Sequence, residues 1–184
     1  MVTKIKNAKK TTPSKKIKLT IACALPKGQR IDDVIDKLSQ LGVDRIIPML
    51  TERVVVKLDE RKKILRQRRW EKIALNSAKQ SQRNSVMVVD SVKMMTEVLS
   101  LAKGFDLKLI PSLIGKRQSL KEVLSEYKPK NILVLIGPEG DFSYSELELA
   151  KQSGCLSVSL GSLVLRVETA AVSVASFIRL YEDD

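Results

Sequence analysis

At 184 residues, with 43% apolar but only 4% aromatic side chains, the chain is sized for one domain with an aliphatic core. Cys23 and Cys155 lie far apart with no CxxC spacing and no histidine is present, so neither a disulfide framework nor a zinc or other metal site is indicated. The net charge of +12 is concentrated in residues 1–18, with seven lysines and no acid, and in residues 57–83, with ten basic and three acidic side chains. That distribution suits a phosphate-rich partner such as nucleic acid, and equally a solubilising tail and an exposed charged helix.

Residues 1–18 are too polar to offset the entropy of ordering, so they read as a basic tail, with the fold running from 19 to 184. Lys15, Lys16 and Lys18 before Leu19–Leu25 loosely mimic a secretory signal, but the apolar run is short and reads as a strand. No apolar run approaches the ~20 residues of a membrane span, and the cytoplasm is the expected compartment.

After the Leu19–Leu25 strand and a turn at Pro26-Lys27-Gly28, the residues Ile31, Val34, Ile35, Leu38 and Leu41 fall at helical spacing up to Gly42. Strands are predicted at Val43–Leu50 and Val54–Val56. A long helix follows over Glu60–Gln82, with a thin apolar stripe of Ile64, Leu65, Ile73 and Leu75. Trp70 within it suits a core anchor better than a stacking platform.

Val86–Val89 reads as a strand, Met94–Ala102 as a helix, Phe105–Ile110 as a strand and Leu120–Tyr127 as a helix ending before Pro129. Ile132–Ile136 has the unbroken aliphatic character of a strand buried on both sheet faces. Ser143 and Glu146 form a capping box opening a helix to about Ser153, with Gly154 as its stop. A strand at Leu156–Leu160 and an apolar helix at Glu168–Tyr181 complete the chain. The alternation predicts an α/β domain whose mostly parallel sheet is sandwiched by helices.

In such sheets ligands bind beyond the carboxyl ends of strands, and two core strands end in glycine turns: Gly137-Pro138-Glu139-Gly140 and Gly161-Ser162. Neither is a P-loop or a dinucleotide fingerprint. Taken alone, these turns fit plain strand exits better than a ligand site.

The ordered string Leu133-Val134-Leu135-Ile136-Gly137-Pro138-Glu139-Gly140, Leu160-Gly161, Val164-Leu165-Arg166 and Glu168-Thr169-Ala170-Ala171 changes that weighing. It resembles the ribosomal RNA small-subunit methyltransferase E family, of the SPOUT class. The resemblance extends upstream through Leu25-Pro26-Lys27-Gly28, Leu41-Gly42-Val43, Arg45-Ile46-Ile47-Pro48, Thr51-Glu52-Arg53 and Lys79-Gln80-Ser81-Gln82-Arg83-Asn84, covering roughly residues 19–180.

The resemblance implies a C-terminal trefoil knot, a homodimer, and S-adenosyl-L-methionine as methyl donor to N3 of a uridine in 16S ribosomal RNA, free or in the assembled 30S subunit. Donor-binding residues carried over are Leu109, Ile110, Ile136, Gly137, Glu139, Gly140, Leu160, Gly161, Leu165 and Thr169. Catalytic roles fall to Arg166, stabilising charge on the uracil, and Glu168, taking a proton. Each also has a structural reading, Arg166 as a salt-bridge partner and Glu168 as a helix-dipole carboxylate. Arg53, Arg66, Arg69, Lys72, Lys79 and Arg83 are the expected RNA contacts, with Arg68 beside them.

Family members usually carry an N-terminal PUA-like barrel, whereas only a lysine-rich tail precedes Leu19, so that barrel is expected to be absent. Within the motifs, Asp141 stands where the family has a second glycine, Ser162-Leu163 where it has Pro-Arg, and Val167 where it has threonine. These departures leave open a second reading, a catalytically weak or inactive RNA-binding relative.

Overall fold

A computed structural model describes residues 17–26, 30–53, 59–113 and 115–183. The expected strand Val54–Val56, most of the turn after Pro26 and residues 1–16 of the basic tail lie outside the described residues.

The strands are β1 (Lys18–Ala24), β2 (Arg45–Leu50), β3 (Val88–Val89), β4 (Lys93–Met94), β5 (Leu107–Pro111), β6 (Gln118–Ser119), β7 (Asn131–Ile136) and β8 (Leu156–Ser159). Between them run α1 (Arg30–Gln40), α2 (Glu60–Gln80), α3 (Met95–Leu101), a 3-10 turn at Ala102–Gly104, α4 (Leu120–Tyr127), α5 (Tyr144–Gln152) and α6 (Val167–Asp183). One sheet results, ordered β3-β2-β1-β7-β5-β8-β6, with β4 also on the edge of β2. Every pairing is parallel. The two-residue strands β4 and β6 were beyond the reach of periodicity, which needs several residues to show itself.

β7 sits beside β1 with Ala22 against Leu135, and its five aliphatic residues alternate between two cores. Ile132, Val134 and Ile136 join Leu19, Ile21 and Cys23 of β1 under α1, α2, α4 and α6, while Leu133 and Leu135 join Ala22, Ile47 and Met49 under α3 and α5. Burial on both faces is why β7 reads as a continuous aliphatic run.

Helix α2 corrects the expected stripe. Ile64, Leu65 and Leu75 are exposed, and the buried line is Trp70, Ala74, Ser77 and Ala78. Small residues at that spacing let α2 approach α1 closely, with Ser77 Oγ donating to the Asp36 carbonyl at 3.0 Å. Trp70 is buried and its indole N–H donates to Asp32 at 3.1 Å, so it is a core anchor.

The two ends of the fold meet at Arg179 of α6. Its guanidinium reaches the carbonyls of Ile17 (2.7 Å) and Gly42 (2.6 Å), Asp44 (2.9 Å) and Glu182 (2.6 Å). Asp44 in turn accepts from the Leu19 amide at 2.8 Å. No described helix is long and apolar enough to cross a membrane.

Candidate functional site

Parallel pairing puts the carboxyl ends of β5, β7 and β8 side by side, and the segments leaving them enclose one cleft. It has about 580 Å³ of space, counting the part open to solvent.

The β7 exit forms the first wall through Ile136, Gly137, Pro138, Glu139 and Asp141. Phe142 turns back into the core, and a Cβ on Gly137 would lie 2.9 Å from its ring, so glycine is required by packing. Asp141 adopts a left-handed conformation, φ 59°, and its amide donates to the Pro138 carbonyl at 3.0 Å. Short polar side chains tolerate that conformation best after glycine.

The Asp141 carboxylate does not serve the end of α5, where Ser143 and Glu146 make the expected reciprocal cap. One oxygen accepts from the Phe142 amide (2.8 Å) and the other from Leu113 N–H (3.3 Å), across the cleft wall on the β5 exit. From outside, Arg53 Nη1 donates to the carbonyls of Gly140 and, at 3.3 Å, Asp141. Beside it, the Glu52 amide donates to Glu146 at 2.9 Å.

Pro111, Ser112, Leu113 and Arg117 form the second wall. The Ser112 amide donates to Val158 of β8 (3.3 Å), and Arg117 Nη1 to the Ser112 carbonyl (3.3 Å). The third wall is Leu160, Gly161, Leu163, Val164 and Leu165, continuing into Val167 and Ala170 of α6. Gly161, at φ 114°, occupies a conformation that only glycine adopts readily.

The walls are mainly apolar and the charges cluster. Glu139 lies 3.9 Å from Arg30. Glu168 is not among the lining residues; it is half-buried, and its buried Oε2 lacks a hydrogen-bond partner among the described residues. Burial, then the nearby Glu168 and Glu139 carboxylates, push the Cys23 thiol up to about 12.

Of the expected donor residues, Ile136, Gly137, Glu139, Leu160, Gly161 and Leu165 share the cleft lining. Gly140 lies just behind, against Arg53, and Thr169 is exposed on α6. Leu109 and Ile110 do not line the cleft: both are buried inside β5, each packed in one of the two cores. The wall begins one residue later, at Pro111. Extending the strand-exit rule from two strands to all three would have found Pro111–Leu113.

Arg166 is exposed before the first turn of α6, and its guanidinium makes no hydrogen bond or ion pair with the described residues. Two of the expected RNA contacts are otherwise engaged. Arg83 donates to the carbonyls of Ser39 (2.7 Å) and Val43 (3.0 Å), and burial pulls its pKa down; Arg69 pairs with Asp32. Lys72 and Lys79 are exposed beside Arg68, on the same side of α2 as Leu65 and Leu75, while Arg66 is half-buried.

The profile of the RNA methyltransferase domain family matches residues 13–179. The ribosomal RNA small subunit methyltransferase E of Bacillus subtilis is 34% identical over 167 residues, covering 88% of this chain and 65% of that protein. The chain thus spans about two thirds of the length of such curated relatives. Among solved structures, a putative methyltransferase from Legionella pneumophila in complex with bound S-adenosyl methionine superposes with a TM-score of 0.83 at 33% identity, covering 90% of this chain and 66% of that one. A ribosomal RNA small subunit methyltransferase E from Neisseria gonorrhoeae, also bound to S-adenosyl methionine, gives 0.81 at 29% identity, with 90% and 67% covered.

Proposed function

The chain belongs to the RNA methyltransferase domain family, among the ribosomal RNA small subunit methyltransferase E proteins, and from that premise we propose that it methylates ribosomal RNA with S-adenosylmethionine, at N3 of a uridine in the small subunit. The cleft between the β5, β7 and β8 exits carries this reading. Its apolar walls suit a flat heterocycle, and its carboxylates suit the donor's cationic groups.

When bound, the donor supplies a methyl group already activated on a sulfonium, so the chain must chiefly orient and exclude water. Main-chain groups of 137–141 and 160–165 would hold it between Ile136, Leu165 and Val167. Arg166, unengaged among the described residues and adjoining the lining residues Leu165 and Val167, would stabilise negative charge on the uracil. The buried, partnerless Glu168 oxygen would accept the N3 proton, directly or through water.

Arg68, Lys72 and Lys79 on the open face of α2 would track RNA phosphates, with Arg66 beside them, while Arg53, Arg69 and Arg83 act first on the fold. The homodimer and knot belong to the same proposal. Exposed Leu163 and Val164 beside the cleft and Phe177 and Leu180 on α6 supply apolar surface for a second copy. Ribosomal RNA as substrate also makes the cytoplasm the expected compartment.

The test is incubation with tritiated donor and 30S particles from an unmethylated strain, followed by mapping of the labelled nucleoside. Label on a uridine N3 is expected. Label on another base keeps the reaction and refutes the target, whereas RNA retained without label supports the inactive RNA-binding alternative.

A further inference from the structure

Asp141 is where the chain departs from the family's glycine, and its surroundings give the carboxylate a specific task. A left-handed residue needs no side chain, and glycine would reach φ 59° without steric cost. What aspartate adds is two acceptor oxygens, used on opposite sides: one on Phe142 N–H at 2.8 Å, within the β7 exit, the other on Leu113 N–H at 3.3 Å, in the β5 exit.

Leu113 is exposed, and its neighbour Ser112 is already tied to β8 through the Val158 carbonyl. The carboxylate therefore closes a chain of contacts running from the β7 exit through the β5 exit to strand β8. Arg53 fixes the far side of the same loop through the Gly140 and Asp141 carbonyls.

We infer that Asp141 is a positioning residue that latches the β7 exit to the β5 exit before any ligand arrives, so that the cleft is preformed. The inference rests on the donor-site reading of the cleft. A preformed cleft spends less binding free energy on ordering its walls, so removing the latch weakens small-molecule binding without touching the chemistry. The carboxylate also stands among the lining groups, where it favours a ligand carrying positive charge.

Two variants separate the latch from the backbone. Asp141→Gly keeps the left-handed turn accessible and removes both acceptor oxygens. Asp141→Asn retains one acceptor oxygen and tolerance of the turn, but its amide cannot accept from the second N–H. The measurements are amide hydrogen exchange at Leu113 and Phe142 without ligand, and calorimetric titration with S-adenosylmethionine.

The latch predicts Leu113 exchange several-fold faster in Asp141→Gly, donor affinity several-fold weaker, Asp141→Asn between it and the parent, and melting midpoints within a few degrees of one another. Leu113 exchange at the parental rate in Asp141→Gly overturns the latch, as does accelerated exchange with unchanged affinity. Failure of the parent protein to bind the donor refutes the donor-site reading, while the exchange measurement still decides whether the latch exists.

Discussion

The ring of Phe142 occupies the space a Cβ on Gly137 would need, 2.9 Å from the position that atom would take. The first glycine of the β7 exit thus serves packing: it lets the chain fold a buried aromatic back beneath the cleft floor. Gly137→Ala should cost about 1–3 kcal/mol by overpacking, measured by urea denaturation, with part of the loss recovered by adding Phe142→Leu. An unchanged midpoint in the single variant would show that the ring is free to shift.

Arg179 joins α6 to the residue before β1 and to the turn before β2, with its side chain only 10% exposed. Arg179→Ala leaves the Asp44 and Glu182 carboxylates without their shared cation, and a loss of about 3–5 kcal/mol is expected. Arg179→Lys should restore little, because an ammonium cannot fork towards four acceptors. A loss below about 1 kcal/mol, typical of exposed pairs, would contradict the account.

Cys23 sets a pH dependence whose sign can be worked out. Its thiol, 9.0 in the unfolded reference, is pushed up to about 12 by burial and then by Glu168 and Glu139. Above pH 9 the unfolded chain loses this proton while the folded chain keeps it, so stability falls between pH 9 and about 12, by at most about 1.4 kcal/mol per pH unit. Denaturation curves collected from pH 8 to 11 should be flatter for Cys23→Ala. Native protein at pH 8 should also resist alkylation at Cys23, and rapid labelling there would overturn the burial argument.

The α2 cations divide by task. Lys72→Ala or Lys79→Ala should each lower the salt-dependence slope of RNA binding by about 0.7–0.9 and leave thermal stability alone. Arg83→Ala should do the reverse, since its guanidinium holds the Ser39 and Val43 carbonyls. Equal slopes in all three variants would remove α2 from the RNA interface.

Where side-chain pattern alone decides structure, the sequence was readable. β7 announced itself through unbroken aliphatics, and Ser143 and Glu146 fixed the start of α5 because a reciprocal cap is a local device. What failed was non-local. Nothing near Arg83 in sequence marks its guanidinium as engaged by the Ser39 and Val43 carbonyls, and nothing near Leu109 and Ile110 says that the wall starts at Pro111. The carboxylate of Asp141 was legible as a substitution for glycine, but its use depends on Leu113, 28 residues away. The α2 stripe misled because Ile64, Leu65 and Leu75 outrank Ala74 and Ala78 in hydrophobicity, whereas close approach to α1 selects the small residues.

The central claim is that the β5, β7 and β8 exits form a methyl-donor site. Its most direct test is amide chemical-shift mapping during titration of the full chain with S-adenosylmethionine. The account predicts saturable shifts concentrated in 111–113, 136–141 and 160–167. No saturable shift at millimolar donor, or shifts centred elsewhere, would contradict it.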